Sequence, residues 1–247
     1  MTAREAFAPA KINLTLHVTG QRDDGYHLLD SLVVFADIGD RLWFDEGPQM
    51  IVEVTGPFAS GVPTDRRNLV WQAAELAGWK GRIRLEKKLP HGAGIGGGSA
   101  DAAAVLRHLN APQHAAKLGA DVPVCLSVNP QRMTGIGDQL SFLPSFPDVD
   151  VLLVNPGVHL PTPQVFAGLG TKQNSAMPHT LPAFLTRAEL FDWLAEQRND
   201  LQAPAIQLAP EINDVLASLH MAPLARMSGS GSTCFGLFEQ GAQEAAI

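Results

Sequence analysis

Five glycines fall within the seven residues Gly92–Gly98. The preceding residues 82–87 alternate polar and apolar side chains, which predicts a strand. Residues 100–109 are rich in Ala and Leu, which predicts a helix with Ser99 as its N-cap. Glycine permits the positive φ angles and the close backbone approach that a phosphate needs, and a helix N-terminus offers N–H groups to an anion. The spacing therefore predicts a phosphate-binding loop at a strand-to-helix junction.

Two known phosphate-binding patterns fit this loop only in part. Gly92-x-Gly94-x-x-Gly97 matches the dinucleotide fingerprint, but residues 113–118, where a second strand ending in an acidic residue is required, have no strand character. The same glycines begin a P-loop, but Gly98 stands where that motif has lysine. A plain surface loop is the alternative, which the entropic cost of ordering five glycines disfavours. If the loop binds a triphosphate, the cation must come from elsewhere in the chain.

Three further sets of residues could take part in such chemistry. Lys11 and Asn13 lie two apart on the polar face of a predicted strand over residues 10–18, although alternation alone favours a solvated face. Asp121 stands close before a proline suited to a first helical turn, where an aspartate is usually an N-cap. The Ser- and Gly-rich segment 228–233 is either an ordinary hairpin connection or a second wall of N–H and hydroxyl groups for anions.

The composition limits the class of protein. The chain has 247 residues and a formal net charge of −7, which argues against a general nucleic-acid binder. It contains no apolar run of about 18 residues and begins without the apolar segment of a signal peptide, so we expect a cytoplasmic protein. Cys125 and Cys234 lie in apolar surroundings and are interpreted as buried thiols, although a disulfide is compatible with the sequence. No Cys or His pair has zinc spacing.

The remaining patterns predict a mostly antiparallel first third followed by helices and a new segment after residue 146. The predicted strands are 28–38, 41–44, 50–55 and 149–154, with turns at 20–25, 39–40 and 135–138. The predicted helices are 68–77, 186–197 and 211–220, and strands flank the segment 228–233. The sequence therefore predicts a boundary near Phe146-Pro147-Asp148, after which a new strand begins.

Six segments in order resemble the GHMP kinases, the family of galactose, homoserine, mevalonate and phosphomevalonate kinases. The segments are 9–14, 24–27, 90–103, 119–123, 199–201 with 210–212, and 227–235. Segments 9–14, 90–103 and 227–235 resemble the three motifs that define the family. The triple glycine Gly96-Gly97-Gly98 and the other segments narrow the resemblance to members that act on a cytidylated alcohol. The resemblance extends over nearly the whole chain.

The resemblance implies an α+β fold of two domains with a cleft between them. A ribosomal-S5-like domain would cover residues 1–146, and a ferredoxin-like domain would cover residues 147–247. The implied reaction transfers the γ-phosphoryl group of ATP, bound with Mg²⁺, to the 2-hydroxyl of a cytidylated methylerythritol in isoprenoid precursor synthesis. The expected partners are these small molecules, without nucleic acid, membrane or a metal site built by the protein, and the oligomeric state is open.

The resemblance also implies roles for individual residues. Asp121 would accept the hydroxyl proton, and Lys11 would keep Asp121 ionised and offset charge at the transferred group, which supplies the cation missing from the loop. Asn13 would contact the erythritol end, while Tyr26 and His27 would stack on the cytosine and read its edge. The expected ATP-binding residues are the loop with its flanks and two outlying positions: Pro90, His91, Gly92, Ala93, Gly94, Ile95, Gly96, Gly97, Gly98, Ser99, Ala100, Asn68 and Lys87.

Three alternatives stay open at this point. A GHMP kinase for another small alcohol is the nearest, and Tyr26-His27 argues against it. A non-catalytic nucleotide-binding relative would be expected to lack Lys11 or Asp121, and both are present. A dinucleotide-dependent oxidoreductase rests on the glycine fingerprint alone and lacks its acidic partner.

Overall fold

The structure is a computed structural model that describes residues 4–143 and 145–239. The described elements, in chain order, are β1 (Arg4–Asn13), β2 (His17–Gln21), β3 (His27–Glu46), β4 (Ile51–Thr55), α1 (Leu69–Leu76), β5 (Gly81–Glu86), α2 (Gly97–His108), a 3₁₀ helix (Pro112–Lys117), α3 (Asp121–Val124), β6 (Gln131–Gly135), β7 (Gln139–Phe142), β8 (Asp150–Val154), α4 (Thr162–Ala167), α5 (Arg187–Ala195), α6 (Gln202–Leu208), α7 (Glu211–Ser218), β9 (Leu224–Met227) and β10 (Cys234–Phe238). Helices and separate sheets of this kind confirm the α+β class. Among the described helices, each is too short or too polar to cross a membrane.

The strands within the described residues form two sheets. The larger sheet has seven strands in the order β4-β5-β3-β6-β7, and β1 and β2 also pair with β3. The long strand β3 pairs antiparallel with β5 through Arg41–Glu46 and with β6 through Leu29–Val33. The smaller sheet has the antiparallel order β8-β10-β9. The strand β3 is therefore the element around which the larger sheet is built.

The chain divides into two compact units whose segments interleave along the sequence. The first unit contains residues up to Lys11, Phe35–His91 and Gly96–Val128. The second contains Ile12–Val34, Gly92–Ile95 and the chain from Asn129 onward. The division at residue 146 concerns the family's domains and stays a prediction.

The core of the first unit lies between its strands and the helices α1 and α2. Ile83 and Leu85 of β5 are fully buried and alternate with exposed arginines, which confirms the strand predicted over 82–87. The helix predicted over 68–77 is α1, with Asn68 as its N-cap. The residues 100–106 of α2 are all buried, and small alanine side chains allow a helix to be enclosed on every side.

The second unit has its own core around α6, α7 and the smaller sheet. Its buried apolar residues include Leu16, Val18, Ile212, Met227 and Cys234. The helices predicted over 186–197 and 211–220 are confirmed as α5 and α7. A capping box fixes the start of α5, where Thr186 and Glu189 each accept a hydrogen bond from the other's backbone N–H.

The turn predicted at Gly39-Asp40 is wrong, because β3 runs without interruption from His27 to Glu46. A Cβ atom on Gly39 would lie 2.2 Å from the carbonyl oxygen of Ala8, so this glycine is required for the close approach of β1. Asp40 is fully buried and bonds Lys87. Both residue types are typical of turns, but here they serve a close strand contact and a buried ion pair.

The strand predicted over 10–18 is interrupted, since β1 ends at Asn13 and β2 begins at His17. Its polar face is not solvated, and the residues on it are at most 4% exposed: Lys11, Asn13, Thr15 and His17. Each of these side chains has at least one protein partner, although Asn13 Oδ1 and His17 Nε2 have none among the described residues. Thr15 Oγ1, for example, accepts a 2.8 Å hydrogen bond from the Leu32 N–H.

We expect the stability of the protein to decrease in acid, in part through His17. Burial, together with the positive charge of Arg198, lowers the pKa of His17 below 6.5, and its Nδ1 lies 3.1 Å from the Ser175 carbonyl oxygen. Because the unfolded chain binds a proton near pH 6.5 while the folded imidazole stays neutral, His17 stabilises the fold above that pH, and this contribution is lost as the pH falls below it. Urea unfolding measures the free energy of unfolding at about pH 7.5 and about pH 5.5. Between these two pH values, this free energy should fall more for the wild type than for His17→Gln. Equal losses would contradict this role.

Candidate active site

Lys11 and Asp121, which are 110 positions apart in sequence, form an ion pair in the first unit. The Lys11 ammonium donates a 2.7 Å hydrogen bond to Asp121 Oδ1. The Lys11 side chain is 5% exposed, whereas that of Asp121 is 45% exposed. A carboxylate held by a buried cation on one side and open to solvent on the other can accept a proton from an incoming hydroxyl.

The interpretation of Asp121 as an N-cap is wrong. Asp121 is the first residue of α3, the N-cap position is Ala120, and no side-chain capping bond is present there. Arg107 links α3 to β1, because its guanidinium donates to the carbonyl oxygens of Cys125 and Phe7. A four-residue helix is not stable alone, so contacts of this kind set the position of Asp121.

The helix α2 begins two residues before the predicted N-cap. Its N-cap is Gly96, with a left-handed φ of 65°, and no side chain caps the helix, so the N-cap role predicted for Ser99 is wrong. A Cβ atom on Gly96 would lie 3.1 Å from Lys11 Cβ, so the start of α2 packs against the lysine of the ion pair. The first N–H groups of a helix without a side-chain cap are available to an anion.

The glycine loop is partly buried and partly open. Among its residues, Ala93, Ile95, Gly97 and Ala100 are buried, His91, Gly92 and Gly98 are exposed, and Pro90, Gly94, Gly96 and Ser99 are intermediate. In the second unit the segment 228–233, which connects β9 to β10, packs on the loop. Ser228 Oγ donates a 3.1 Å hydrogen bond to the Gly94 carbonyl, and a Cβ atom on Gly94 would lie 2.5 Å from the Ser228 carbonyl oxygen. Only glycine fits at position 94.

Asn68 uses both of its polar atoms within the protein. Its Oδ1 accepts a 2.9 Å hydrogen bond from the Val70 N–H, and its Nδ2 donates to the Pro63 carbonyl at 2.7 Å. It therefore fixes the start of α1. The next residue, Leu69, is the nearest neighbour of a Cβ atom placed on Gly98, at 3.9 Å.

Lys87 lies next to the start of α2, and its ammonium donates hydrogen bonds to two carboxylates. One is Asp40, and the other is Asp101 at 2.7 Å. Burial alone would lower the pKa of Lys87, but the negative charges of Asp101 and Asp40 outweigh burial and raise this pKa. Burial raises the pKa of Asp101 to about 7. The positive charge of Lys87 opposes this rise, and the negative charge of Asp40 adds to it.

Asn13 has a buried place in the second unit. Its backbone N–H donates to Ser228 Oγ at 3.1 Å, and its Nδ2 donates to Ser31 Oγ at 2.7 Å. Its Oδ1 is buried without a hydrogen-bond partner among the described residues. A buried acceptor in this state is suited to a donor from a ligand.

Tyr26 and His27 lie at the start of β3 in the second unit. Tyr26 is 58% exposed, so it is accessible to a ligand. His27 stacks on Phe166 with a centroid distance of 4.6 Å, and burial with the nearby charge of Lys172 lowers the pKa of His27. Phe166 cannot be identified from the sequence, because nothing in its own segment indicates that it contacts His27.

Both cysteines are free and buried, as the sequence predicted. Burial raises the pKa of Cys125 and that of Cys234 to about 12, so neither thiol is a nucleophile at neutral pH.

Comparisons with known proteins identify the family. Residues 68–143 match the GHMP kinases N-terminal domain, and residues 181–247 match the GHMP kinases C-terminal domain. The chain is 58% identical to the 4-diphosphocytidyl-2-C-methyl-D-erythritol kinase of Dinoroseobacter shibae, an alignment that covers 97% of this chain and 87% of that protein. It is also 58% identical to the enzyme of the same name from Paracoccus denitrificans, over 98% of this chain and 89% of that one.

Solved structures give the same result. The fold matches a crystal structure of 4-(cytidine 5'-diphospho)-2C-methyl-D-erythritol kinase with a TM-score of 0.73 and 35% identity, over 98% of this chain and 95% of that one. A homoserine kinase from Cytophaga hutchinsonii, at 18% identity, a TM-score of 0.62 and coverage of 100% and 87%, shares the fold. The chain therefore belongs to the GHMP kinases and, within them, to the family of 4-diphosphocytidyl-2-C-methyl-D-erythritol kinases.

Proposed function

We propose that this protein transfers the γ-phosphoryl group of ATP to the 2-hydroxyl of 4-diphosphocytidyl-2-C-methyl-D-erythritol. The observation that carries the proposal is the Lys11–Asp121 pair, which lies against the uncapped start of α2 in the first unit. In this proposal the carboxylate is the proton acceptor, the ammonium is the cation, and the start of α2 beside Lys11 binds the anion. Phosphoryl transfer needs these parts, because its catalysis consists mostly of positioning and charge stabilisation.

In the proposed mechanism Asp121 accepts the proton of the attacking hydroxyl. Lys11 holds the carboxylate by its 2.7 Å hydrogen bond and offers positive charge to the transferred group. The N–H groups at the start of α2, with the glycine loop before it, bind the α- and β-phosphates. The ammonium that a P-loop carries within its own motif is here supplied by β1.

ATP is the phosphoryl donor in this proposal, and Mg²⁺ enters as part of the Mg–ATP complex. The part of the chain that the structure describes contains no group of three or more His, Cys, Asp or Glu residues arranged to hold a metal. In enzymes that act on nucleotides, Mg²⁺ usually keeps several waters and is bound through one or two carboxylates and the substrate phosphates. The ion would neutralise charge on the phosphates.

Asn68 and Lys87 belong to the ATP site in this proposal through the backbone that they fix. Asn68 caps α1, whose first residue lies next to Gly98. The other expected loop residues, from Pro90 to Ala100, form the cradle itself. We also propose that the enzyme acts on these small molecules in the cytoplasm.

The cytidine end of the acceptor would bind at Tyr26, His27 and Phe166. The exposed ring of Tyr26 can stack on a pyrimidine, and the neutral His27, held against Phe166, has a buried Nε2 without a hydrogen-bond partner among the described residues. Aromatic stacking with a polar group at the base edge is a common way to recognise a nucleobase. Asn13 Oδ1 would accept from a hydroxyl of the erythritol.

Tyr26→Ala should raise the KM for the cytidylated alcohol about tenfold, since base stacking contributes roughly 1–3 kcal/mol. His27→Ala should raise the same KM through the loss of a hydrogen bond. Steady-state kinetics with each substrate varied in turn measure both effects, and the KM for ATP serves as the internal control. A variant whose KM for the cytidylated alcohol is normal would remove its residue from the acceptor site.

The proposed function is tested by an ADP-release assay with a panel of alcohols. We expect turnover with 4-diphosphocytidyl-2-C-methyl-D-erythritol and little with free methylerythritol, mevalonate, homoserine or galactose. A preference for one of the other alcohols would refute the assignment of the acceptor while leaving the kinase chemistry in place. Absence of ATP-dependent turnover with the whole panel would refute the function.

A further inference from the structure

We infer that Asp40, Lys87 and Asp101 form a positioning triad that holds both ends of the glycine loop in the arrangement that binds ATP. The inference rests on the proposed function, because it assigns the loop to the phosphates of ATP. None of the three side chains would touch the nucleotide. Their effect would be to fix the loop before ATP arrives, which lowers the cost of ordering it on binding.

Asp40 fixes the entry to the loop. It lies in β3, is fully buried, and its Oδ1 accepts hydrogen bonds from the Lys88 N–H at 2.6 Å and the Leu89 N–H at 2.9 Å. These two residues lead directly from β5 into the loop. Its Oδ2 accepts from the Lys87 ammonium. One carboxylate therefore binds three consecutive residues at the point where the strand turns into the loop.

Asp101 fixes the exit from the loop. It lies in α2 one turn after Gly97 and is 3% exposed. The Lys87 ammonium bonds it at 2.7 Å and so connects the start of α2 to Asp40. A Cβ atom on Gly97 would lie 3.5 Å from Lys87 Nζ, so the ammonium lies next to the first residue of the helix. The triad thus connects the residues that enter the loop to the helix that follows it.

Burial and charge both argue for positioning rather than direct contact with ATP. The Lys87 side chain is 2% exposed, and its ammonium already has two carboxylate partners. Its backbone is engaged as well, since its N–H donates to the Thr55 carbonyl at 2.8 Å and its carbonyl accepts from the Phe58 N–H at 3.2 Å. A buried group of two carboxylates and one ammonium is poor for stability compared with apolar packing, and its best-attested use is to specify one arrangement.

Calorimetric titration of the full-length protein with ATP, without acceptor, tests the triad. Asp40→Asn should weaken ATP binding about tenfold or more, because a loop that is not ordered beforehand must lose conformational entropy when ATP binds. Asp101→Asn, whose amide oxygen can still accept from Lys87, should weaken it by a smaller factor. Amide hydrogen exchange of residues 88–98 in the nucleotide-free variants should be faster than in the wild type. The kcat at saturating ATP and the KM for the acceptor should stay nearly normal.

Two controls separate positioning from other causes. Asp30→Asn breaks a comparably buried ion pair with Arg132 in the second unit and should lower the thermal midpoint without weakening ATP binding. Titration with adenosine separates a contact with the base from an effect on the phosphate loop. A positioning triad predicts normal adenosine binding in the triad variants, whereas contact of Lys87 with adenosine predicts that Lys87→Met weakens adenosine and ATP by the same factor.

The outcomes are distinct. Wild-type affinity for ATP in both Asp variants, or equal weakening in Asp30→Asn, would overturn the triad and leave the proposed function intact. Should Asp40→Asn fail to fold, Asp101→Asn decides alone through its ATP affinity and its loop exchange. Failure of the wild-type protein to bind ATP would instead overturn the proposed function.

Discussion

Asp121→Asn should lower kcat by about two or more orders of magnitude, because the amide cannot take the proton of the attacking hydroxyl. The substitution keeps the size of the side chain, and the amide oxygen can still accept from Lys11. The Asp121 side chain is 45% exposed and does not cap α3, so neither a buried group nor a helix cap is lost. Because the buried Lys11 ammonium keeps a hydrogen bond but loses its opposite charge, we expect a modest fall in the thermal midpoint and a nearly unchanged dissociation constant for ATP.

Asp65→Asn is a matched control for this variant. Asp65 also lies in the first unit and forms an exposed ion pair with Arg67, so the same chemical change there should leave kcat unaltered. Single-turnover measurements at saturating substrates separate the chemical step from product release. Near-normal turnover in Asp121→Asn would show that the carboxylate is not the base.

Much of the first unit could be predicted from local pattern alone. The strand β5 follows from the alternation of residues 82–87, and the helix α1 follows from the helical composition of residues 68–77. Both agree with the structure. Local pattern decides these elements because each buries one face in a regular way. The predicted start of α2 is three residues late, because a glycine in the left-handed region can precede a helix without any side-chain cap.

The pattern failed where tertiary contacts override local chemistry. Gly39 and Asp40 are typical turn residues, yet they lie inside a long strand because one permits the approach of β1 and the other bonds Lys87. Likewise, alternation over 10–18 favoured a solvated polar face, while the structure buries that face among hydrogen-bond partners from distant parts of the chain. Composition does not reveal such partners.

The candidate site could be found only in part from the residues themselves. The glycine loop indicates phosphate binding through its spacing, but Lys11 and Asp121 are 110 positions apart, and only the family resemblance connected them. Phe166 and Asp40 were not identified, because each acts through a residue far away in sequence. A search for buried acidic residues near the loop would need the fold first.

Lys11→Met should lower kcat by about two to three orders of magnitude, the usual effect of removing one group that stabilises transition-state charge. Methionine matches the length of lysine and suits a position that is 4% exposed. Because Asp121 stays exposed to solvent, the substitution leaves no unpaired charge in the core, and we expect only a small change in thermal midpoint. A loss of activity that follows the loss of folded protein would contradict a catalytic role.

The double variant Lys11→Met/Asp121→Asn tests whether the two residues act as a unit. If Lys11 serves catalysis partly by holding the Asp121 carboxylate, the lysine has less to contribute once the carboxylate is gone. The double variant should then be slower than the slower single variant by less than about tenfold, far from the product of the two separate losses. Multiplication of the losses would instead mean that Lys11 acts on the transferred phosphoryl group independently of Asp121. A single-turnover cycle of the four proteins at saturating ATP distinguishes these results, because it reports the chemical step in which both residues are proposed to act.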